Sequence, residues 1–311
     1  MPSMDTSRHR LTRRQVIERL LAPGMLSLAV LSGAGGQAPR RAPIARTDAT
    51  TSAWLTLPPT PAWPAARRSG LAAVNGTKIF FAQFGEGPPV LLLHGGLGNS
   101  NHWGHQVAEL AKTHSVTVMD TRGHGRSPVT SRSFSYSLFA EDVAALLDFL
   151  QIPAAAIVGW SDGAITALQL GLTKPERVSR LFSFGGNVSL DGMNPSSGSS
   201  QMFAAYAARC QTEYAELSPT PDKWPELRAG LRTMWRTQPT FPRQKLAALK
   251  MPVTISAGEH DEIIRREHTE YMARVIPGAR LAILPGVSHF AMLQNPAQFN
   301  KALLDFLTAK N

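Results

Sequence analysis

Gly159-Trp160-Ser161-Asp162-Gly163 is the stretch whose residue types can do chemistry. It follows the apolar run Ala154-Ala155-Ala156-Ile157-Val158, which reads as a buried strand, and precedes Ala164 to Leu170, which reads as a helix. A serine between two glycines at a strand-to-helix turn is a nucleophile elbow. The turn is so tight that side chains flanking the serine would meet neighbouring backbone, hence the glycines. The helix directs its free N–H groups and positive dipole end toward the serine, where negative charge develops in acyl transfer. The pentapeptide alone arises by chance in about one chain in ten of this length, from average Gly and Ser usage. The strand before it and the helix after it remove most such matches.

A free serine hydroxyl is a poor nucleophile and needs a base, and the base needs an orienting acid. Both follow in the order Ser, acid, His. Gly258-Glu259-His260-Asp261-Glu262 comes after one apolar run and Gly286-Val287-Ser288-His289-Phe290 after the next. Asp261 and His289 are therefore expected at strand ends on one sheet edge, where active-site groups gather in open α/β sheets. Glu259 and Glu262 are the nearest substitutes for the acid if the register slips. Upstream, His94-Gly95-Gly96-Leu97-Gly98 also follows a strand-like run, and its glycines let backbone N–H groups turn toward a bound oxygen.

The elements that must position these residues can be read from about Ser69 onward. The continuous apolar runs at Val90–Leu93 and Val116–Met119 read as strands buried on both faces, and Leu181–Phe184, Pro252–Ala257 and Arg280–Leu284 read as further strands. An earlier strand is expected at Lys78–Ala82. Leu138, Phe139, Val143, Leu146, Leu147 and Leu150 recur at helical spacing, with Ser137 as an expected N-cap, and Asn295-Pro296 opens a last helix. Alternation of this kind implies the α/β class: a mainly parallel central sheet with helices on both faces. Residues 187 to about 245 break the rhythm. They contain no convincing strand, but carry helical stretches with Phe203, Tyr206, Tyr214, Trp224 and Trp235. An insertion of that size between strands reads as a small helical cap over the strand ends.

Composition limits the alternatives. The 311 residues carry a net charge of +10, but residues 1–68 hold ten arginines against Asp5, Glu18 and Asp48, so the body is only mildly basic. No basic stripe with interleaved aromatics points to nucleic acid. Cys210 is the single cysteine, which excludes an intramolecular disulfide and is expected as a buried helix residue. His102, His105 and His114 show no Cys or carboxylate grouping at metal-ligand spacing, nor does His260 with His268 gain a third ligand. No metal is expected. With no phosphate-cradling or dinucleotide loop, no cofactor is expected either.

The N-terminus reads as an address. Thr12-Arg13-Arg14-Gln15-Val16-Ile17 resembles a twin-arginine export motif. A short apolar segment, broken by Pro23-Gly24, and a small-residue zone ending near Ala38 follow it. That apolar segment is too short for a spanning helix of about 20 residues. The expected organisation is an export signal over 1–38, a Pro/Ala-rich linker over 39–68 with Trp54 and Trp63 as docking anchors, and a catalytic body over 69–311. The expected location is periplasmic or secreted, without stable membrane insertion; oligomeric state is silent in the sequence.

Taken in order, His94-Gly95-Gly96, Asp120 through Ser127, Gly159–Gly163, Gly258-x-x-Asp261 and Ser288-His289 resemble the α/β-hydrolase superfamily. The resemblance runs from about Leu71 to Leu307, nearly the whole body. The Gly-Trp-Ser-Asp-Gly form with a short cap is most similar to the branch around valacyclovir hydrolase, also called biphenyl-hydrolase-like protein, from which the export segment departs. The resemblance implies a serine hydrolase acting on a small-molecule acyl substrate, most simply a carboxylic ester. It makes Ser161 the nucleophile, His289 the base and Asp261 its partner. The N–H groups of Asp162 and of Gly96 or Leu97 would form the oxyanion hole. Trp160, Asp162 and Phe290 are the substrate-binding candidates. The same triad also serves cofactor-free haloperoxidases, lactonases, C–C hydrolases and aminopeptidases, and the fold does not choose among them. A non-catalytic binding protein on the same fold is the remote alternative. His94, His124, Asp120 and Arg122 are expected to brace turns rather than react.

Overall fold

The computed structural model describes residues 52–309, so the expected export signal and residues 39–51 of the linker lie outside the described residues. Eight strands form one sheet: β1 (Arg68–Val74), β2 (Thr77–Phe84), β3 (Pro89–Leu93), β4 (Ser115–Met119), β5 (Ala155–Trp160), β6 (Val178–Phe184), β7 (Val253–Gly258) and β8 (Arg280–Leu284). Their order is β1-β2-β4-β3-β5-β6-β7-β8. β1 and β2 pair antiparallel, β2 pairs antiparallel with β4, and every later pairing is parallel. The central strands are mostly apolar because helices cover both faces; every residue of β5 and of β7 is buried, Thr254 and Ser256 included.

The strand order places the chemistry. From β3 the chain moves to β4 on one side, then crosses back to β5 on the other. At such a reversal the loops leaving the two strands part, opening a crevice beyond their carboxyl ends. The His94–Gly98 loop leaves β3 and the serine elbow leaves β5, so both open into that crevice.

The seven expected strands are present. β1 is an eighth strand with little sequence signal, because its burial does not alternate and its first residues are exposed. The helix Tyr136–Phe149 is capped by Ser135, whose side chain accepts the Leu138 N–H, and not by Ser137. Ser135 is the residue with extended backbone, which leaves its hydroxyl free to fold back on the first turn. Asn295 caps the helix Pro296–Thr308 in the same way, by accepting the Gln298 N–H.

Residues 187–245 form short turns and two longer helices, Gln201–Leu217 and Trp224–Trp235, here called the first and second cap helices. Tyr206, Cys210 and Tyr214 bury one face of the first; Trp224, Leu227, Leu231 and Met234 bury one face of the second. Full burial of each leucine contributes about 1.5–3 kcal/mol, enough to hold the cap on the body. Among the described residues no helix is long and apolar enough to cross a membrane.

Residues 52–67 carry no regular structure apart from one turn at Ala53–Leu55, and they dock. Trp54 stacks on His260 with ring centroids 4.4 Å apart, and Trp63 packs on Phe84. The Gln294 side chain donates to the Thr56 carbonyl at 2.8 Å, and Arg209 of the first cap helix donates to the Leu57 and Pro58 carbonyls. This stretch therefore straps the cap to the body.

Candidate active site

Ser161 sits between β5 and the helix Asp162–Thr173 with φ 56° and ψ −121°. Positive φ is costly for a residue with a Cβ and persists only where the surroundings over-determine it. Here its N–H donates to the Phe184 carbonyl at 2.9 Å, and its own carbonyl accepts from Ala164 and Ile165 at 2.9 and 3.1 Å. A Cβ on Gly159 would run into the Gly163 backbone, and one on Gly163 into the Leu93 carbonyl. The glycines are thus needed on both sides, as the spacing predicts. The bend lifts the serine into a cavity of about 270 Å³ between the strand ends and the cap.

His289 reaches the same cavity from the loop after β8. Its Nδ1 lies 3.0 Å from both carboxylate oxygens of Asp261, in the loop after β7. Asp261 Oδ1 also accepts the N–H groups of Ile263 and Ile264 at 2.9 and 2.8 Å, which fixes the carboxylate before it meets the ring. The ring is 1% exposed. Burial alone would lower its pKa, but the charges of Asp261, Glu262 and Asp162 and the Asp261 hydrogen bond outweigh it and hold the pKa above the ordinary histidine value. Gly185, at φ 60°, lies against the ring; a Cβ there would come within 2.8 Å of His289 Cε1. The Ser161 hydroxyl lines the cavity with His289 and makes no hydrogen bond to another described residue. Catalytic hydrogen bonds of this kind commonly tighten only when substrate is bound. Glu259 is exposed and accepts the Gly286 N–H at 2.9 Å, away from the ring. Asp261 is thus the acid that meets His289 Nδ1.

Asp162 is the second residue brought to this floor. Its carboxylate accepts from the Tyr136 hydroxyl at 2.8 Å and from the Trp235 indole N–H at 2.8 and 3.0 Å. Burial pushes its pKa up to about 6 even though both donors and His289 favour the charge. Tyr136 and Trp235 had no signal in the sequence: one opens a core helix, the other ends a cap helix, and only the fold joins them at Asp162. Gly96 lines the cavity, and its carbonyl accepts from the Tyr206 hydroxyl of the cap at 3.1 Å. Leu97 is buried at φ 67° and is not among the lining residues. The Asp162 N–H opens a helix, where no intrahelical acceptor exists. Trp160 and Phe290 are buried in the cavity wall, with rings 5.7 Å apart. Arg232 of the second cap helix also lines it.

The remaining polar residues brace. Asp120 accepts from Ser100 and Arg126, and Arg122 forms a fully buried pair with Asp142 at 2.5 and 2.8 Å. His94 accepts the Thr121 N–H on Nε2, and burial holds its pKa near 4 and that of His124 near 3, so both stay neutral. One grouping was invisible in the spacing: the fold brings Cys210 and Glu213 of the first cap helix to His102. Glu213 is already engaged, whereas His102 Nδ1 makes no hydrogen bond to another described residue. Glu213 lies 3.0 Å from His102 Nε2 and accepts from Asn99 and Thr60. Burial opposes its charge, but these partners win and hold its pKa at about 2. Burial also pushes the Cys210 thiol well above its ordinary value. The grouping works as a latch between cap, strap and body.

Sheet order, elbow and the Asp261–His289 pair define an enzyme class, and the chain belongs to it: the α/β-hydrolase superfamily. A family described as the alpha/beta hydrolase fold matches residues 88–223. Within it, the chain is 30% identical over 259 residues to the serine hydrolase BPHL of Homo sapiens, covering 77% of this chain and 86% of that one. Among solved structures it is similar to Est816, described as an N-acyl homoserine lactone degrading enzyme, with a TM-score of 0.62 and 30% identity over 76% of this chain and all of that one. An enol-lactonase from Burkholderia xenovorans LB400 shares the fold at TM-score 0.62 and 24% identity, covering 77% of this chain and all of that one.

Proposed function

We propose that the chain is a serine hydrolase that cleaves a carboxylic ester or a related acyl substrate through a covalent acyl-enzyme. The observation that carries this reading is the buried His289 imidazole, held by Asp261 at 3.0 Å, in one cavity with a serine at a strained elbow. In the first half-reaction Ser161 Oγ attacks the carbonyl carbon as its proton passes to His289 Nε2. The oxyanion rests on the N–H groups of Asp162 and Gly96, and the imidazolium returns the proton to the leaving alcohol or amine. Water then repeats the sequence on the acyl-enzyme and frees the acid. Asp261 keeps its charge and holds the ring in the tautomer that leaves Nε2 free. Lactones are internal esters, so the lactone-directed activities named for the two structural neighbours fall inside the proposed class. A panel of p-nitrophenyl esters of graded acyl length, amino-acid esters and lactones tests it; turnover of none of them would contradict it.

His289 must be neutral to take the proton, and its pKa lies above the ordinary 6.5. kcat/KM should therefore rise with pH through a single step above that value and fall away as the medium is acidified. A flat profile between about pH 5 and 8 would exclude a histidine base.

Asp162 lies beside the nucleophile, buried, with two neutral donors and no cationic partner among the described residues. We read it as the receptor for a cationic amine close to the scissile carbonyl. Removing one partner of a desolvated charge pair costs about 2–5 kcal/mol. Asp162→Asn keeps the backbone donor and the side-chain size. It should lower kcat/KM for an α-amino-acid ester at least about tenfold relative to the matching ester without the amine. In the wild type that preference should grow as pH rises through about 6, where the carboxylate ionises. Equal losses on both esters would leave Asp162 only its favourable place at a helix start.

The Arg13-Arg14 pair and the short apolar segment support export by the twin-arginine route. Replacing both arginines by lysine should strand the full chain in the cytoplasm, as read by cell fractionation.

A further inference from the structure

Glu262 follows the acid of the Asp261–His289 pair, and it approaches the histidine from another side. Its Oε2 accepts the backbone N–H of His289 at 3.2 Å. Its Oε1 is buried without a hydrogen-bond partner among the described residues. The side chain does not line the substrate cavity. It borders a separate crevice behind it, with Trp54 and Leu57 of the strap, Met202 of the cap, and His260. A carboxylate placed there costs desolvation, and burial does push its pKa above the usual range. A neutral side chain could have accepted the same N–H at lower cost. The charged groups facing the His289 ring are Asp261 and Glu262 from the loop after β7 and Asp162 from the elbow helix. Trp160 and Phe290 pack on it as uncharged rings, and Arg232 stands elsewhere on the cavity lining.

We propose that Glu262 is a positioning residue of the active site: it pins the His289 backbone through Oε2 and, with Asp261, supplies the negative field in which the imidazolium forms. This rests on the serine-hydrolase reading above. Glu262 takes no proton from the ring. When the Ser161 proton reaches His289 Nε2, the new positive charge lies between a carboxylate that meets Nδ1 and one that meets the backbone of the same residue. Burial of Glu262 Oε1 limits the screening of the second.

Glu262→Gln tests it, because the amide oxygen can still accept the His289 N–H and only the charge is lost. The acid limb of kcat/KM should move down by about one pH unit while the protein stays folded by circular dichroism. Glu262→Asp, which keeps the charge, should bring the limb back toward the wild-type position. The same titration can be read without turnover, from the ring protons of His289 by NMR in a Ser161→Ala background, assigned by their loss in His289→Gln. A midpoint that falls in step with the kinetic limb supports the proposal. An unmoved midpoint overturns it, whether activity is unchanged or reduced at every pH, since a simple brace of the loop would give the latter. A wild-type enzyme without any acid limb would instead count against the histidine base. The NMR midpoint would still decide the role of Glu262.

Discussion

Ser161→Ala should abolish nearly all ester hydrolysis and leave the fold in place. On the proposed mechanism the substitution removes the one atom that would form the acyl bond. It does not add strain, because alanine meets the same φ of 56° with no more bulk than serine. The hydrogen bonds that hold the elbow all run through the backbone of residue 161 and survive. Cavity, oxyanion donors and His289 remain, so a residual rate about 10³-fold above water is expected from them. Paired measurements of turnover and thermal melting on the wild type and the variant check this. Near-wild-type turnover in a correctly folded variant would mean that another nucleophile operates.

Asp261→Asn should be almost as severe, by way of a tautomer. Oδ1 of Asp261 accepts two backbone N–H groups, from Ile263 and Ile264. An asparagine must place its carbonyl oxygen there and its NH2 group against His289 Nδ1. Nδ1 then becomes an acceptor, the ring proton moves to Nε2, and Nε2 can no longer take the serine proton. The loss expected for such a swap is about 10⁴ in kcat, with a smaller change in KM. Because the shape is conserved, melting should shift little. A loss of tenfold or less would show that Asp261 is not the orienting acid, and Glu262 would be the next residue to examine.

The sequence reveals most where the chain itself carries the constraint. The elbow needs two glycines within five residues because the clashes they avoid are local or with the adjacent strand. The inner parallel strands β3 and β5 are legible because burial on both faces leaves apolar runs. The sequence points to Asp261 as the acid, with Glu259 and Glu262 as substitutes, since three carboxylates within four residues share one loop and only the fold decides which one turns inward. Here Glu259 faces solvent and binds the Gly286 N–H, while Asp261 meets the ring.

What the sequence hides is tertiary. The Tyr136–Asp162–Trp235 contact joins three distant stretches. So does the latch of His102, Cys210 and Glu213. The Pro-rich stretch before β1 reads as a linker because it lacks periodicity, yet residues 52–67 are held by Trp54, Trp63 and a set of backbone carbonyls that accept from Gln294 and Arg209. Backbone acceptors leave no mark on composition. β1 is hidden for a related reason: an edge strand exposed over much of its length carries little hydrophobic pattern.

The central claim is that Ser161 becomes covalently acylated with His289 as its base. Treatment of the purified chain with a fluorophosphonate, followed by peptide mass spectrometry, tests it most directly. The account predicts one adduct per chain, on Ser161, formed in parallel with loss of esterase activity, faster as pH rises through the His289 pKa, and strongly slowed in His289→Gln. Complete inactivation with Ser161 unmodified, or an unlabelled chain that hydrolyses esters at full rate in the presence of the reagent, would contradict it.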